Sequence, residues 1–249
     1  MTTSPSEDKP LQAQTLSGRL ALVTGASRGI GAETAISLAA RGAHVILVAR
    51  SSTDLEAVEE AIHAKGGSAT IAPLDLTDGE SISRLAKAIS ERWPALDIMV
   101  LNAATLGTLA AVPAIDVKEF ARQFTLNVSA PQALIAAFDP MLRASRDARV
   151  VAITTGVAGK PRAYWGAYGA SKAALEVMIA AYGQEVRNVS KIRTHIVNPG
   201  PTRTAMRARA YPGEDPATLK TPDVVGEAIA EMIVADTPDG ARIDLPKNP

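Results

Sequence analysis

Residues Leu20 to Gly31, LALVTGASRGIG, decide how the rest of the chain is read. Leu20–Thr24 is a short, nearly unbroken apolar run, the pattern of a strand covered on both faces. It passes without a linker into Gly25-Ala26-Ser27-Arg28-Gly29-Ile30-Gly31, and an alanine-rich stretch of helical period follows. Glycines at such a turn let the backbone bend sharply and approach a bulky anion with no Cβ in the way. A helix opening near Gly29 would present unpaired N–H groups and the positive end of its dipole to a phosphate. The alternative is an ordinary βα turn. A second strand within about 20 residues gives this turn the setting of a nucleotide site.

Outward from this unit the same order repeats. Apolar runs at Leu20–Thr24, His44–Ala49, Ser68–Ala72, Asp97–Leu101, Arg149–Ile153 and Lys191–Val197 alternate with helical patterns near 29–40, 54–64, 79–92, 116–144, 165–188 and 222–235. Alternation of this kind predicts an α/β fold: a doubly wound, Rossmann-like parallel sheet of about seven strands with helices on both faces. Pro131 and Pro140 fall inside the 116–144 segment, which is therefore either two helices or one bent helix. No linker or repeat interrupts the order, so residues 17–249 read as one dinucleotide-binding catalytic domain, with a substrate loop near 201–220. Residues 1–16 are polar, contain Pro5 and Pro10, and read as a disordered tail.

Composition removes several classes of chemistry. The 249 residues contain no cysteine, which excludes disulfides, a thiolate nucleophile, iron–sulfur clusters and Cys-ligated zinc. His44, His63 and His195 lie far apart in the sequence, so no metal site is expected. Lys+Arg and Asp+Glu balance at 26 each, without the basic surplus of a nucleic-acid-binding domain. No apolar run approaches the roughly 18–20 residues that span a bilayer, and the N-terminus lacks the apolar centre of a signal peptide. A cytoplasmic protein with neither a nucleic-acid nor a membrane partner is expected.

A second motif lies where the fifth strand gives way to a long helix. Tyr168-Gly-Ala-Ser-Lys172 places a phenol and an ammonium four residues apart, on one helix face. A tyrosine with pKa near 10 is a poor base at neutral pH. A neighbouring ammonium, helped by a bound cationic ring, would stabilise its phenolate and bring it into a useful range for proton transfer with an alcohol or carbonyl.

Together, Thr24-Gly25-x3-Gly29-x-Gly31 and Tyr168-x3-Lys172 resemble the short-chain dehydrogenase/reductase family, and the resemblance runs from residue 18 to about 235. It implies an NADP(H)-dependent oxidoreductase moving a hydride between nicotinamide and an alcohol or carbonyl, with Tyr168 as general acid/base. Lys172 would hydrogen-bond the nicotinamide ribose, and Asn127 would complete the catalytic group by holding a relay water. A serine usually stands 13 residues before the tyrosine. Here that position is Thr155, while the local pattern also allows Gly156, with Thr154 as a substitute.

The resemblance further implies cofactor contacts from Gly25, Ser27, Arg28, Gly29, Ile30 and Gly31, from Asp75 and Leu76 after the third strand, and from Asn102 after the fourth. Tyr168, Lys172, Pro199, Gly200, Thr202 and Thr204 complete the set. Leu101-Asn102-Ala103-Ala104 departs from the usual Asn-Asn-Ala-Gly by lacking the final glycine. Ala49 stands where an NAD enzyme carries an acidic residue, and Arg50 with Arg28 could grip a 2′-phosphate, so NADP(H) is expected over NAD(H).

Arg203, Arg207 and Arg209 in the 201–220 segment could steer an anionic substrate, or simply be solvated. Tyr164 and Trp165 could wall the pocket or simply pack. A homodimer is implied, with a tetramer as the larger alternative, because Pro246 would end a seventh strand early. The competing readings are a catalytically silent dinucleotide-binding regulatory or scaffold protein, and a dehydratase or epimerase on the same fold.

Overall fold

The computed structural model describes residues 15–235 and 237–246. Most of the predicted tail lies outside these residues. Leu16, grouped with that tail on composition, is buried, and its N–H donates to the Arg41 carbonyl at 2.9 Å.

Seven parallel strands form one sheet: β1 (Leu20–Thr24), β2 (His44–Ala49), β3 (Ser68–Pro73), β4 (Ile98–Leu101), β5 (Ala148–Ile153), β6 (Ile192–Asn198) and β7 (Ala241–Asp244). Their spatial order is β3-β2-β1-β4-β5-β6-β7. The reason the strands read as unbroken apolar runs is visible in their side-chain alternation. Ala21, Val23, Val45 and Leu47 pack into one core, under α1 (Gly29–Ala40), α2 (Ser52–His63) and α9 (Pro222–Val234). Leu20, Leu22, Ile46 and Val48 pack into the other, under α3 (Gly79–Ser90), α5 (Ala130–Ala144) and α7 (Gly166–Val186). Both faces are dry, so both registers must be apolar.

The 116–144 segment is one helical path with a widened turn. Here α4 (Val117–Phe124) enters a π-turn (Thr125–Ser129), which continues as α5. The Ala130 N–H bonds the Thr125 carbonyl five residues back. Pro131 sits in the first turn of α5 and has no N–H, and its ring would crowd the Asn127 carbonyl in a regular α-helix. Inserting one residue into the turn relieves that crowding, and such π-turns recur at functional sites.

The 201–220 segment is also structured. It contains α8 (Ala205–Ala210) and a 3-10 turn (Pro216–Thr218), and is closed by a bridge between Thr202 and Lys220. The remaining short helix, α6 (Gly156–Gly159), follows β5. The order of β1 between β2 and β4 creates the switch point, beyond the strand C-termini, at which open α/β sheets bind ligands.

Candidate active site

The glycine turn lies at that switch point. Gly25 and Gly29 have φ of +64° and +58°, a region that costs side-chain-bearing residues strain. A Cβ on Gly31 would stand 2.3 Å from the Gly25 carbonyl oxygen. Behind the turn, Thr24 Oγ1 donates to the Val100 carbonyl at 3.1 Å and accepts from the N–H groups of Asn102 and Ala103 at 3.0 and 3.1 Å. The Asn102 side-chain amide donates to the carbonyls of Thr24 and Gly25 at 2.9 and 3.2 Å. Asn102 therefore acts on the turn as a brace.

α2, α3 and α4 are capped by the side chains of Ser51, Asp78 and Asp116, whereas α1, like α7, has no side-chain cap and no acid in its first turn, and carries Arg28 at the N-cap. Its leading N–H groups are left for an external acceptor. An uncapped helix end beside a Cβ-free turn fits the diphosphate of a dinucleotide.

Arg28 and Arg50 flank this turn and are both exposed. Hydrogen bonds from the Thr77 N–H and hydroxyl, 2.9 and 2.8 Å long, hold the Asp75 carboxyl below its ordinary range, and the Arg50 charge adds to the effect. Leu76 is buried, and Ile30 packs on the core below α1. Thr204 caps α8, and its methyl lies 3.5 Å from the place of a Cβ on Gly29. Pro199 is buried, Gly200 has φ +66°, and the Thr202 hydroxyl donates to the Gly200 carbonyl at 3.2 Å. The structure thus brings the 199–204 segment to the glycine turn.

Tyr168 and Lys172 share the buried face of α7, at 8% and 2% exposure. Asn127, in the π-turn, is fully buried. Its carbonyl oxygen accepts from the Thr105 N–H at 2.8 Å, and its amide nitrogen donates to the Thr105 carbonyl and Ser171 Oγ at 3.0 Å each. Ser171 Oγ in turn donates to the Tyr168 carbonyl at 2.8 Å, tying the π-turn to α7. Lys172 Nζ donates to the Ile153 carbonyl at 2.8 Å, at the end of β5.

The next two residues part ways. The Thr154 hydroxyl donates to Glu176 Oε1 at 2.5 Å, while Thr155 caps α6, its hydroxyl accepting from the Val157 N–H at 3.5 Å. Thr154 is thereby engaged away from the pair, and Gly156 has no side chain to offer.

Burial pushes the Tyr168 phenol up to about 12, and no charged group offsets it. Lys172 is itself pulled down to about 8 by burial, against an upward influence from Glu176. The ammonium bonds a backbone carbonyl rather than the phenol, so proximity in the helix does not by itself acidify Tyr168. Its hydroxyl instead faces Met206 Sδ of α8 at 3.8 Å.

Sequence reading missed Glu176. It stands four residues after Lys172, on the same helix face, and links Thr154 to Arg242 of β7, whose guanidinium it holds at 2.6 Å. The spacing Tyr-x3-Lys-x3-Glu was visible; the partner strand was not. The arginines of 201–220 are partly accounted for. Arg207 is held by Glu214 through two 2.6 Å bonds and stacks on Tyr211, and Arg209 donates to the Gly107 carbonyl at 2.5 Å. Trp165 packs beside Tyr168, whereas Tyr164 is exposed. No cluster of metal-ligating side chains occurs among the described residues, and none of their helices is long and apolar enough to cross a membrane.

A Rossmann-type sheet with a phosphate-fitting turn beside a buried phenol and ammonium defines a dinucleotide-dependent oxidoreductase class, and comparison with known proteins narrows it. The profile of the short chain dehydrogenase family matches residues 19–215. An uncharacterized oxidoreductase, YciK, from Escherichia coli K12 is 38% identical over 210 residues, covering 83% of this chain and 82% of the relative. A protein described as a short chain dehydrogenase from Escherichia coli CFT073, solved with NADPH, superposes with a TM-score of 0.87 at 36% identity, over 94% of this chain and 99% of the other. A metagenomic short-chain oxidoreductase solved with NADP gives 0.81 at 29% identity, over 94% and 99%. The chain belongs to the short-chain dehydrogenase/reductase family and is an oxidoreductase acting on CH–OH or C=O groups.

Proposed function

We propose that the protein is an NADPH-dependent carbonyl reductase in which Tyr168 is the proton donor. The observation that carries this reading is the buried Tyr168–Lys172 pair beside an uncapped glycine turn. With its pKa pushed to about 12, the phenol stands protonated at neutral pH, the state that gives a proton to a carbonyl oxygen. When bound, the cofactor supplies the hydride that reaches the carbonyl carbon. Tyr168 then delivers the proton to the oxygen, producing an alcohol, and recovers it from solvent through the Lys172 side.

Thr155 is the hydroxyl assigned to the substrate oxygen, since Thr154 is held by Glu176. Asn127 positions the relay. Its backbone carbonyl lacks the usual i+4 donor, because residue 131 is proline, and can accept from a water beside Lys172. The N–H groups opening α1 and the 199–204 segment would hold the dinucleotide. Arg28 and Arg50 favour a 2′-phosphate over a bare ribose, supported by the NADP(H) complexes of the structural relatives.

The dehydratase and scaffold alternatives gain no specific observation here. The test is a panel of carbonyl compounds with NADPH, comparing wild type and Tyr168→Phe. The expected result is turnover by wild type and a loss of at least about 100-fold in the variant, with NADPH affinity retained. Equal rates would remove Tyr168 from the mechanism.

A further inference from the structure

We propose that the substrate is a neutral carbonyl compound carrying an apolar chain or ring, received by the cluster of Leu106, Leu109, Val157, Trp165, Met206 and Ala210 around Tyr168. This rests on the oxidoreductase reading above and adds the chemical class of its substrate. In the structure those side chains pack together, with Leu106, Val157 and Tyr168 buried and the other four partly buried. Trp165 meets the Tyr168 ring edge-on at 6.0 Å and stacks on Tyr211 at 5.6 Å, forming an aromatic wall.

The Tyr168 hydroxyl faces a thioether, a weak acceptor that a substrate carbonyl oxygen can replace. Met206 thus occupies the place of the substrate's first apolar atoms.

None of the side chains in the cluster is charged, and two arginines of the 201–220 segment have partners of their own. Arg207 is clamped by Glu214 and lies on Tyr211 at 3.8 Å, and Arg209 is bonded to the Gly107 carbonyl. Burial is the sole influence moving the phenol's pKa, as expected where no charged side chain reaches it. A carboxylate or phosphate buried among these apolar side chains would lose its hydration without a charged partner inside the cluster.

NADPH oxidation with 2-butanone, 2-hexanone, 2-octanone and 7-oxooctanoate tests this, the last being the 2-octanone chain ended by a carboxylate. The expected result is a rise in kcat/KM of up to about fourfold per methylene along the ketones, the factor for a fully buried CH₂. The 2-octanone value should exceed that of 7-oxooctanoate by at least about tenfold. Turnover of 7-oxooctanoate equal to or above that of 2-octanone would overturn the proposal.

Binding is read separately in Trp93→Phe, which leaves Trp165 as the sole tryptophan. A change in Trp165 emission on adding 2-octanone, with or without NADPH oxidation, supports the apolar subsite independently of the reductase reading. No change overturns the subsite even where another carbonyl is reduced. Met206→Arg should move the ketone-to-oxoacid preference at least about tenfold toward 7-oxooctanoate. An unchanged ratio would show that residue 206 does not face the substrate.

Discussion

At the scale of single residues, the site is governed by burial acting on charge. Lys172 is buried and its pKa lies near 8, with the Glu176 carboxylate opposing a further fall. Replacing Glu176 by Gln removes that negative charge while keeping a group that can accept from Thr154. The alkaline limb of the kcat–pH profile, where the Lys172 ammonium is lost, should then begin at lower pH than in wild type. A purely structural role would lower kcat alike at every pH, and an unshifted limb would exclude the electrostatic one. At the other end of the site, Arg50 is exposed beside Asp75. Arg50→Asp should lower the ratio of kcat/KM for NADPH over NADH by at least about tenfold, since a carboxylate repels a 2′-phosphate that arginine grips. An unchanged ratio would remove Arg50 from cofactor choice.

At the scale of elements, glycine decides where helices may touch. α9 lies on α1 with Gly226 at the contact, where a Cβ would stand 2.5 Å from the Glu33 carbonyl carbon and 2.7 Å from the Thr34 nitrogen. Both are backbone atoms and cannot rotate aside. Gly226→Ala should cost about 1–3 kcal/mol in urea unfolding, with the helices forced apart. An unchanged midpoint would mean that the two helices adjust freely. The element boundaries themselves were largely legible: the first two strands and α1 lie where apolar runs and helical period placed them. The π-turn was not. Pro131 announced a disturbance in the 116–144 helix, but whether the chain kinks, breaks or widens depends on what the turn packs against. Here Asn127 is drawn onto Thr105 and Ser171.

At the scale of the whole molecule, the carboxylate of Asp147 ties together the N-terminal ends of the strands, opposite the site. Asp147, just before β5, receives the buried Arg149, Arg193 of β6 at 2.9 Å, and Arg19 before β1 at 3.6 Å. Burial is the largest influence on its carboxyl and acts upward, yet the hydrogen bonds from Arg193 and Arg149 outweigh it and hold the carboxyl below 3.8. A carboxyl lowered on folding contributes stability that is present above the unfolded pKa and lost as pH falls through the folded one. The melting temperature should therefore drop as pH falls below the unfolded carboxyl value of about 3.9, and Asp147→Asn should both lower it at pH 7 and flatten that drop. An identical acid profile in the variant would show that Asp147 is not the group responsible.

What the sequence determined alone was everything set by local rules. Unbroken apolar runs alternating with helical patterns yielded the alternating sheet, glycine spacing marked the turn at Gly25 and Gly29, and four-residue spacing put Tyr168 and Lys172 on one face. Tertiary structure decided which groups meet across the chain: Glu176 with Arg242, Asn102 with Gly25, Met206 with Tyr168, and three arginines with Asp147. It also set how far burial raises the Tyr168 pKa, because desolvation depends on what packs around a phenol, and no stretch of sequence near residue 168 records it.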